Sequence, residues 1–412
     1  MHYLKRHLEN QILESSKYFK AILLLGARQV GKTTLLQHLF PQFKVFTFDP
    51  VQDIYNARKD PDLFLESFPG PLILDEVQYA PELLASLKRK MDRSDQKGQY
   101  FLTGSQNFSV LRSIAESMAG RVAIFHLDNF TPQELMCKGD LSGWLPSYLE
   151  DPDSFYTKLK PFPANFPPLI EFLFRGTFPA TVELPTSQIP PYFRSYLQTY
   201  VDRDVRTQED IRQLAEFDRF LGISASLTAQ EINSSQLGRE IGVSPQTARR
   251  WLDLLVASYQ WFEALPFHGN TIKRISGKKK GYFKDTGFAC YLQRINLPEG
   301  LAVNPKLGAI FESWVVNYIC QQFATLPVPP NIYHWRTAGG AEVDLILERG
   351  GALYPIEIKC KTHLSKSDLS GLKAFRETYK ENYNIKTGLV IYVGSEPYKL
   401  DPETIALPWN LW

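Results

Sequence analysis

Between Ala21 and about Asp128, short apolar runs alternate with amphipathic stretches. The runs AILLLG, KVFTF, LILDEV, YFLTG and VAIFHL read as buried strands. KTTLLQHLF, PELLASLKRKM and SVLRSIAESM, which lie between them, read as helices. Buried strands alternating with helices predict a mostly parallel sheet covered on both faces. From about Leu141 to Pro191 proline and aromatic residues interrupt this alternation, which predicts a junction. From Tyr192 the segments YFRSYLQTYVDRDVR and IRQLAEFDRFLGISASL space their apolar residues three and four apart, the pattern of a helical lid or linker. After Asn304 a helical stretch, LGAIFESWVVNYICQQF, leads into EVDLILE and LYPIEIKCK, which read as strands of a separate C-terminal α/β unit.

A chain of 412 residues has room for two or three domains. Its 44% hydrophobic and 22% charged residues exclude wholesale disorder. The net charge of +2 hides a local basic stretch holding Lys273, Arg274, Lys278, Lys279, Lys280 and Lys284, and an acidic one from Glu150 to Asp153. Cys137, Cys290, Cys320 and Cys360 are scattered, so neither a zinc site nor a disulfide framework is expected and the compartment reads as reducing. The charged start MHYLKRHLENQ lacks the apolar core of a signal peptide, and no run approaches the roughly 18 apolar residues of a membrane span. The expected location is cytoplasmic, with no membrane partner.

The sharpest chemical signal is Gly26-Ala27-Arg28-Gln29-Val30-Gly31-Lys32-Thr33, a GxxxxGK[ST] motif placed directly after a strand and opening a helix that continues with Thr34. In that setting glycines let backbone N–H groups wrap phosphate oxygens. The helix N-terminus adds positive potential, Lys32 reaches the β- and γ-phosphates, and Thr33 ligates Mg²⁺. The strand Leu72-Ile73-Leu74 ends in Asp75 and Glu76. It is expected beside the P-loop strand, with Asp75 on Mg²⁺ and Glu76 orienting the attacking water. YFLTGS has a polar exit at Thr103 and Ser105, of which Ser105 is the candidate γ-phosphate contact; a simple turn fits as well. Arg121 and Arg203 are candidates for transition-state charge, within the chain or across a subunit contact, against the plainer reading of structural ion pairs.

GARQVGKTTLL, LILDEVQYAPELL, FLTGSQNFSVL and GRVAIFHLDNFTPQEL together resemble the ATPases of the AAA superfamily that carry a C-terminal DUF4143 domain. The later LPFHGNTIKRISGKKKGYFKDTGFACYL fits the same family's pattern of a hairpin, a lysine-rich strand and an Asp-Thr-Gly turn. The resemblance covers nearly the whole chain and implies an AAA-type core with ATP as the nucleotide.

Residues 235–251 follow helix-turn-helix grammar, with a turn at Gly242, Ser244 as N-cap and Pro245 as the first helical residue. Gln246, Arg249 and Arg250 then fall on the outer face of the second helix. The strand-like YQWFEALPF and the basic run ending in GYFKD predict a wing that lays Lys278, Lys279 and Lys280 along a DNA backbone. A solvated hairpin or a protein-contact module is the plainer alternative. Near the C-terminus, Asp344 in EVDLILE and Glu357 with Lys359 in YPIEIK lie on strands joined at Gly350-Gly351, and Glu312 sits on the preceding helix. Residues two apart share a strand face. The four resemble the helix glutamate, aspartate and ExK positions of PD-(D/E)xK nucleases. That resemblance implies Glu312, Asp344 and Glu357 on Mg²⁺ and Lys359 beside the scissile phosphate. An inactive fold serving as a clamp or protein-contact module remains open.

The expected organisation is therefore α/β: a P-loop AAA-type ATPase core over 1–140, a helical lid or linker over 141–225, a winged helix over 226–300 and a nuclease-like α/β domain over 301–412. ATP and Mg²⁺ are the expected cofactors. DNA is the expected partner, with a protein partner or a second copy of the chain as the alternatives.

Overall fold

The computed structural model describes residues 3–105, 118, 120–201 and 214–412, with the backbone alone at Thr271. Among the described residues the first sheet contains β1 (Ala21–Leu25), β2 (Lys44–Thr47), β3 (Leu72–Asp75), β4 (Tyr100–Gly104) and β5 (Val122–His126), in the order β2-β3-β4-β1-β5. All four pairings are parallel, as the unbroken apolar runs predicted. Alternate side chains feed opposite faces. Ile22, Leu24, Ile73 and Phe101 enter one core cluster, whereas Leu23, Leu25, Leu72, Leu74 and Leu102 enter another. One expectation is corrected: β3 does not lie beside β1, because β4 stands between them. The carboxylate of Asp75 therefore reaches the P-loop past the end of β4.

Among the described residues the second sheet contains ten strands. They are β6 (Gln230–Glu231), β7 (Trp261–Pro266), β8 (Lys280–Phe283), β9 (Asn331–Arg336), β10 (Glu342–Arg349), β11 (Ala352–Lys359), β12 (Asn384–Ile385), β13 (Gly388–Tyr392), β14 (Tyr398–Asp401) and β15 (Thr404–Pro408). The order is β14-β15-β13-β11-β10-β9-β7-β8-β6, with β12 added beside β11. β7 pairs in parallel with β9 through Leu265 opposite Tyr333, so one sheet runs from the helix-turn-helix segment into the C-terminal unit.

Helices Ser234–Ile241 and Pro245–Ala257 form the anticipated helix-turn-helix. Gly242 takes φ 88°, which suits glycine, and the Ser244 hydroxyl accepts the Thr247 N–H at 3.0 Å as the N-cap. β7 and β8 pair antiparallel, but a short helix, Thr271–Ser276, fills the connection in place of a simple wing turn.

The proline-rich segment expected as a junction also supplies core residues: Trp144, Tyr148, Phe172 and Phe178 are buried in the same cluster as Ile22 and Leu345. The chain end packs back on it: the Trp412 N–H donates to the Lys160 carbonyl, and the Lys160 N–H donates to the Trp412 carbonyl, each at 2.9 Å. Among the described residues no helix is long and apolar enough to cross a membrane.

Candidate active site

The loop 26–31 leaves β1 and enters the helix Lys32–Leu39. Two of its positions need glycine for different reasons. Gly26 passes so close to the neighbouring chain that a Cβ there would lie 2.2 Å from the Leu127 carbonyl oxygen, and Gly31 takes φ 94°. Gln29 also adopts a left-handed conformation, φ 62°, and its side-chain oxygen accepts the Tyr192 hydroxyl at 2.8 Å. Lys32 is buried and donates to the carbonyls of Gly26 and Ala27 at 3.0 and 2.8 Å, holding its ammonium inside the loop. Arg28 donates to the Tyr79 hydroxyl at 2.7 Å. Thr34 is exposed, one position beyond Thr33.

The acidic half converges on the same place. The Thr33 hydroxyl donates to Asp75 Oδ1 at 2.5 Å, and the Thr103 hydroxyl at the end of β4 donates to the same oxygen at 2.5 Å. Asp75 Oδ2 accepts Thr47 Oγ1 at 3.2 Å. Glu76 sits at φ 57°, a conformation that costs a non-glycine residue roughly 1–3 kcal/mol and that concentrates at functional sites. Its N–H is tied to Thr103 Oγ1 at 3.0 Å. Gln78 donates to the Glu76 carboxylate and, at 3.2 Å, to Ser105 Oγ. Burial opposes ionisation of Glu76, but the Lys32 ammonium, the Gln78 amide and Arg28 outweigh it and hold the carboxyl below its ordinary range. A base at this position is therefore ionised at neutral pH.

A second charged centre lies in the other sheet. Leu345 pairs with Ile356 across β10 and β11, which sets Asp344 beside Glu357 at the end of that ladder. Asp344 Oδ2 accepts the Ile358 N–H at 3.0 Å and lies 3.9 Å from Lys359 Nζ, which also donates to Glu357. Glu312 faces them from the helix Leu307–Gln322. The sequence-predicted quartet is thus together, but with a fifth member. Lys280 Nζ stands between Glu312 Oε1 at 2.6 Å and Asp344 Oδ1 at 2.9 Å. Burial and the Asp344 charge push Glu357 up to about 8, and the same two effects push Glu312 up to about 7. For Asp344 burial acts upward, yet Lys280 and Lys359 prevail and lower it. Among the described residues no group of three His, Cys, Asp or Glu side chains is arranged to hold a metal ion. The divalent cation that the PD-(D/E)xK resemblance implies does not fit this arrangement, because a lysine ammonium already neutralises two of its expected ligands.

Residues 18–136 match the family described as AAA domain. The chain is a P-loop ATPase. Residues 167–299 match a domain of unknown function, DUF8612, and residues 307–412 match the domain of unknown function DUF4143 that the C-terminal resemblance had suggested. Uncharacterized proteins of Mycobacterium tuberculosis and Mycobacterium bovis are each 28% identical over 392 residues, covering 94% of this chain and 79% of the relative. Among solved structures, the Walker-type ATPase PABY2304 of Pyrococcus abyssi aligns with a TM-score of 0.44 and 14% identity, over 71% of this chain and 96% of that one. The RuvB Holliday junction branch migration motor of Thermotoga maritima aligns with a TM-score of 0.30 and 15% identity, over 63% and 90% respectively.

The remaining sequence candidates divide. Gln246, Arg250 and Lys278 are exposed. Arg249 is engaged by Asp253 at 2.6 Å and Glu263 at 2.9 Å, and Lys279 meets the same Glu263 at 2.7 Å. Lys280, expected on the outer edge of a wing, is instead 7% exposed and points into the acidic centre. Its strand is buried on both sides, and Lys280 shares a face with Tyr282, whose hydroxyl donates to Glu312 at 3.1 Å. The alternation KGYF carried that signal, masked by the two lysines before it. Arg121 pairs with Asp92 at 2.5 Å, the structural role weighed for it, and Arg203 lies outside the described residues.

Sequence reasoning missed Arg6. It is 4% exposed and donates to the P-loop carbonyl of Val30 at 2.9 Å, the Asp128 carbonyl at 2.5 Å and Glu134 at 3.0 Å, with its guanidinium 4.5 Å over the Phe130 ring. Nothing in MHYLKRHLENQ distinguishes it from the neighbouring cations.

Proposed function

We propose that this ATPase works with Mg²⁺ and uses its cycle to reposition a DNA-facing winged helix, residues 226–300, relative to the C-terminal DUF4143 unit. The observation that carries the nucleotide half is the hydrogen-bonded set Thr33, Asp75 and Thr103, with Glu76 held ionised beside it. A hydroxyl and a carboxylate oxygen suit a hard, oxygen-seeking cation, so Thr33 and Asp75 are the residues that would hold Mg²⁺. That ion neutralises phosphate charge during transfer. The chain's own residues do the rest. Backbone N–H groups of the loop from Gly26 to Thr33 cradle the phosphates, and Lys32 turns its ammonium from the loop carbonyls to the β- and γ-oxygens. Glu76 orients the attacking water and takes its proton, while Gln78 and Ser105 fix the direction of that carboxylate.

Exposed Gln246 and Arg250 on the second helix, with Lys278 nearby, support contact with DNA. The ATPase rate measured with and without duplex and single-stranded DNA tests this half. Stimulation that weakens as salt is raised is expected, and no response to any DNA rejects it.

A second reading, a nucleotide-dependent switch whose C-terminal unit meets a protein partner or another copy of the chain, is favoured by one observation. Lys280 occupies the acidic centre, and no strand-cleavage step follows from that geometry. Incubation with plasmid and Mn²⁺ distinguishes a C-terminal unit that cuts DNA from one that only switches. Cleavage abolished by Asp344→Ala and by Lys359→Ala supports a nuclease; intact plasmid supports the switch.

A further inference from the structure

The acidic centre contains three carboxylates, two ammonium groups and one unsatisfied atom. Glu357 is 3% exposed, and among the described residues its Oε2 has no hydrogen-bond partner although Oε1 is held by Lys359. A buried polar atom left without a partner is costly, and such an atom marks a place where a cation or water belongs. The neighbouring pair, Glu312 and Asp344, is already bridged by Lys280.

Lys280 comes from β8, outside the 307–412 segment that supplies every other member of the centre. β8 is fixed at several points. A Cβ at Gly281 would lie 2.0 Å from the Trp261 ring, so β7 and β8 are pressed together there. Lys284, just past the strand, pairs with Asp128 at 3.0 Å, and Asp285 accepts the Asn129 amide at 3.0 Å. Asp128 and Asn129 directly follow β5 of the ATPase sheet, and Arg6 joins the Asp128 carbonyl to the P-loop at Val30. The strand that carries the plug is thus anchored at its far end on the nucleotide-binding domain.

We propose that Lys280 is an internal counter-cation that excludes divalent metal from the Glu312, Asp344 and Glu357 carboxylates, so that metal and the lysine compete for one place and the centre loads only when β8 withdraws. The inference goes beyond the DNA reading and does not depend on it. The ammonium repels any second cation brought to the same carboxylates and already satisfies the oxygens that the cation would need.

Mn²⁺ binding to the full chain without nucleotide, followed by electron paramagnetic resonance and by thermal melting, tests this. Wild type is expected to show no Mn²⁺ site that depends on Asp344. Lys280→Met should gain one, at least about tenfold tighter than any wild-type binding, and the gained site should vanish in Lys280→Met with Asp344→Asn. If Lys280→Met does not fold alone, Mn²⁺ is expected to restore a cooperative melt, since it supplies the missing positive charge. An Asp344-dependent Mn²⁺ site in wild type as tight as in Lys280→Met overturns the proposal. So does a folded Lys280→Met without the site, or an unfolded one that Mn²⁺ does not rescue. None of these readouts involves DNA or ATP turnover, so the DNA reading stands or falls separately.

Discussion

Replacing Arg6 with alanine is expected to loosen the P-loop from a distance. The guanidinium is buried and holds three acceptors within 3.0 Å: the Val30 carbonyl in the loop, the Asp128 carbonyl after β5, and the Glu134 carboxylate. Breaking a buried ion pair by removing one partner costs about 3–5 kcal/mol, because the remaining charge stays buried. Here the loss is moderated, since Glu134 keeps the N–H groups of His7 and Thr131, both at 2.9 Å. The two carbonyls lose a charged donor and gain none. We therefore expect Arg6→Ala to lower unfolding free energy by about 3 kcal/mol in urea titration, toward the lower end of that range. Nucleotide affinity should fall along with it, because the loop must now be ordered by the ligand. A fluorescent ATP analogue titrated at a temperature where the variant is fully folded reads that second effect. Arg6→Lys should recover part of the stability but little of the affinity, as one ammonium cannot serve three acceptors in separate directions. A variant that loses less than about 1 kcal/mol and binds nucleotide as wild type does would falsify the argument that Arg6 holds the loop.

Three further outcomes are expected. Lys32→Ala should abolish hydrolysis and weaken ATP binding in equilibrium titration, because it removes the ammonium that the loop holds at the Gly26 and Ala27 carbonyls. Glu76→Gln should bind ATP and lose turnover by about a hundredfold or more, the usual size of a general-base contribution, in a phosphate-release assay; normal turnover would mean that another group serves as base. Glu263 is held below its ordinary range: burial acts upward, but its hydrogen bonds and ion pairs to Arg249 and Lys279 prevail. A depressed carboxylate contributes stability that is present above its unfolded value of 4.5 and lost as pH falls through the lower folded value. The stability gap between wild type and Glu263→Gln should therefore be full at pH 7 and close below about pH 4.5, as read by urea midpoints across that range. Glu263→Gln also releases Lys279 while Arg249 keeps Asp253, so DNA affinity should rise and its salt slope steepen by up to about 1.

The nucleotide site was legible because its parts are local. Gly26 to Thr33 must be contiguous to wrap a phosphate, and Asp75 with Glu76 must end a strand, so both leave short patterns in the sequence. The strand order was not legible: a parallel sheet gives every strand the same apolar run, and nothing in LILD or YFLTG says which lies beside AILLL. The helix-turn-helix was readable from its cap and turn at Ser244 and Gly242. The charge state of its outer face was not. Arg249 and Lys279 are 30 positions apart, and both are claimed by Glu263 on another strand. Pairing across that separation is set by packing, which a linear pattern does not record.

Lys280 shows the same limit most fully, and it alters what the C-terminal motif means. The period of two put Glu357 and Lys359 on one face, the PD-(D/E)xK resemblance added Glu312 and Asp344, and the structure brings the four side chains near one another. Those residues alone match a pattern whose resemblance implies a bound metal. Lys280 reverses that conclusion with a single ammonium, and it arrives from β8, which is numbered among a surface run of lysines. The motif therefore specifies where charges meet, while the neighbouring strand decides whether they are available. Lys284 and Asp285, just past that strand, contact Asp128 and Asn129 after β5, so the strand that brings the lysine to the acidic centre is tied by side chains to the ATPase sheet.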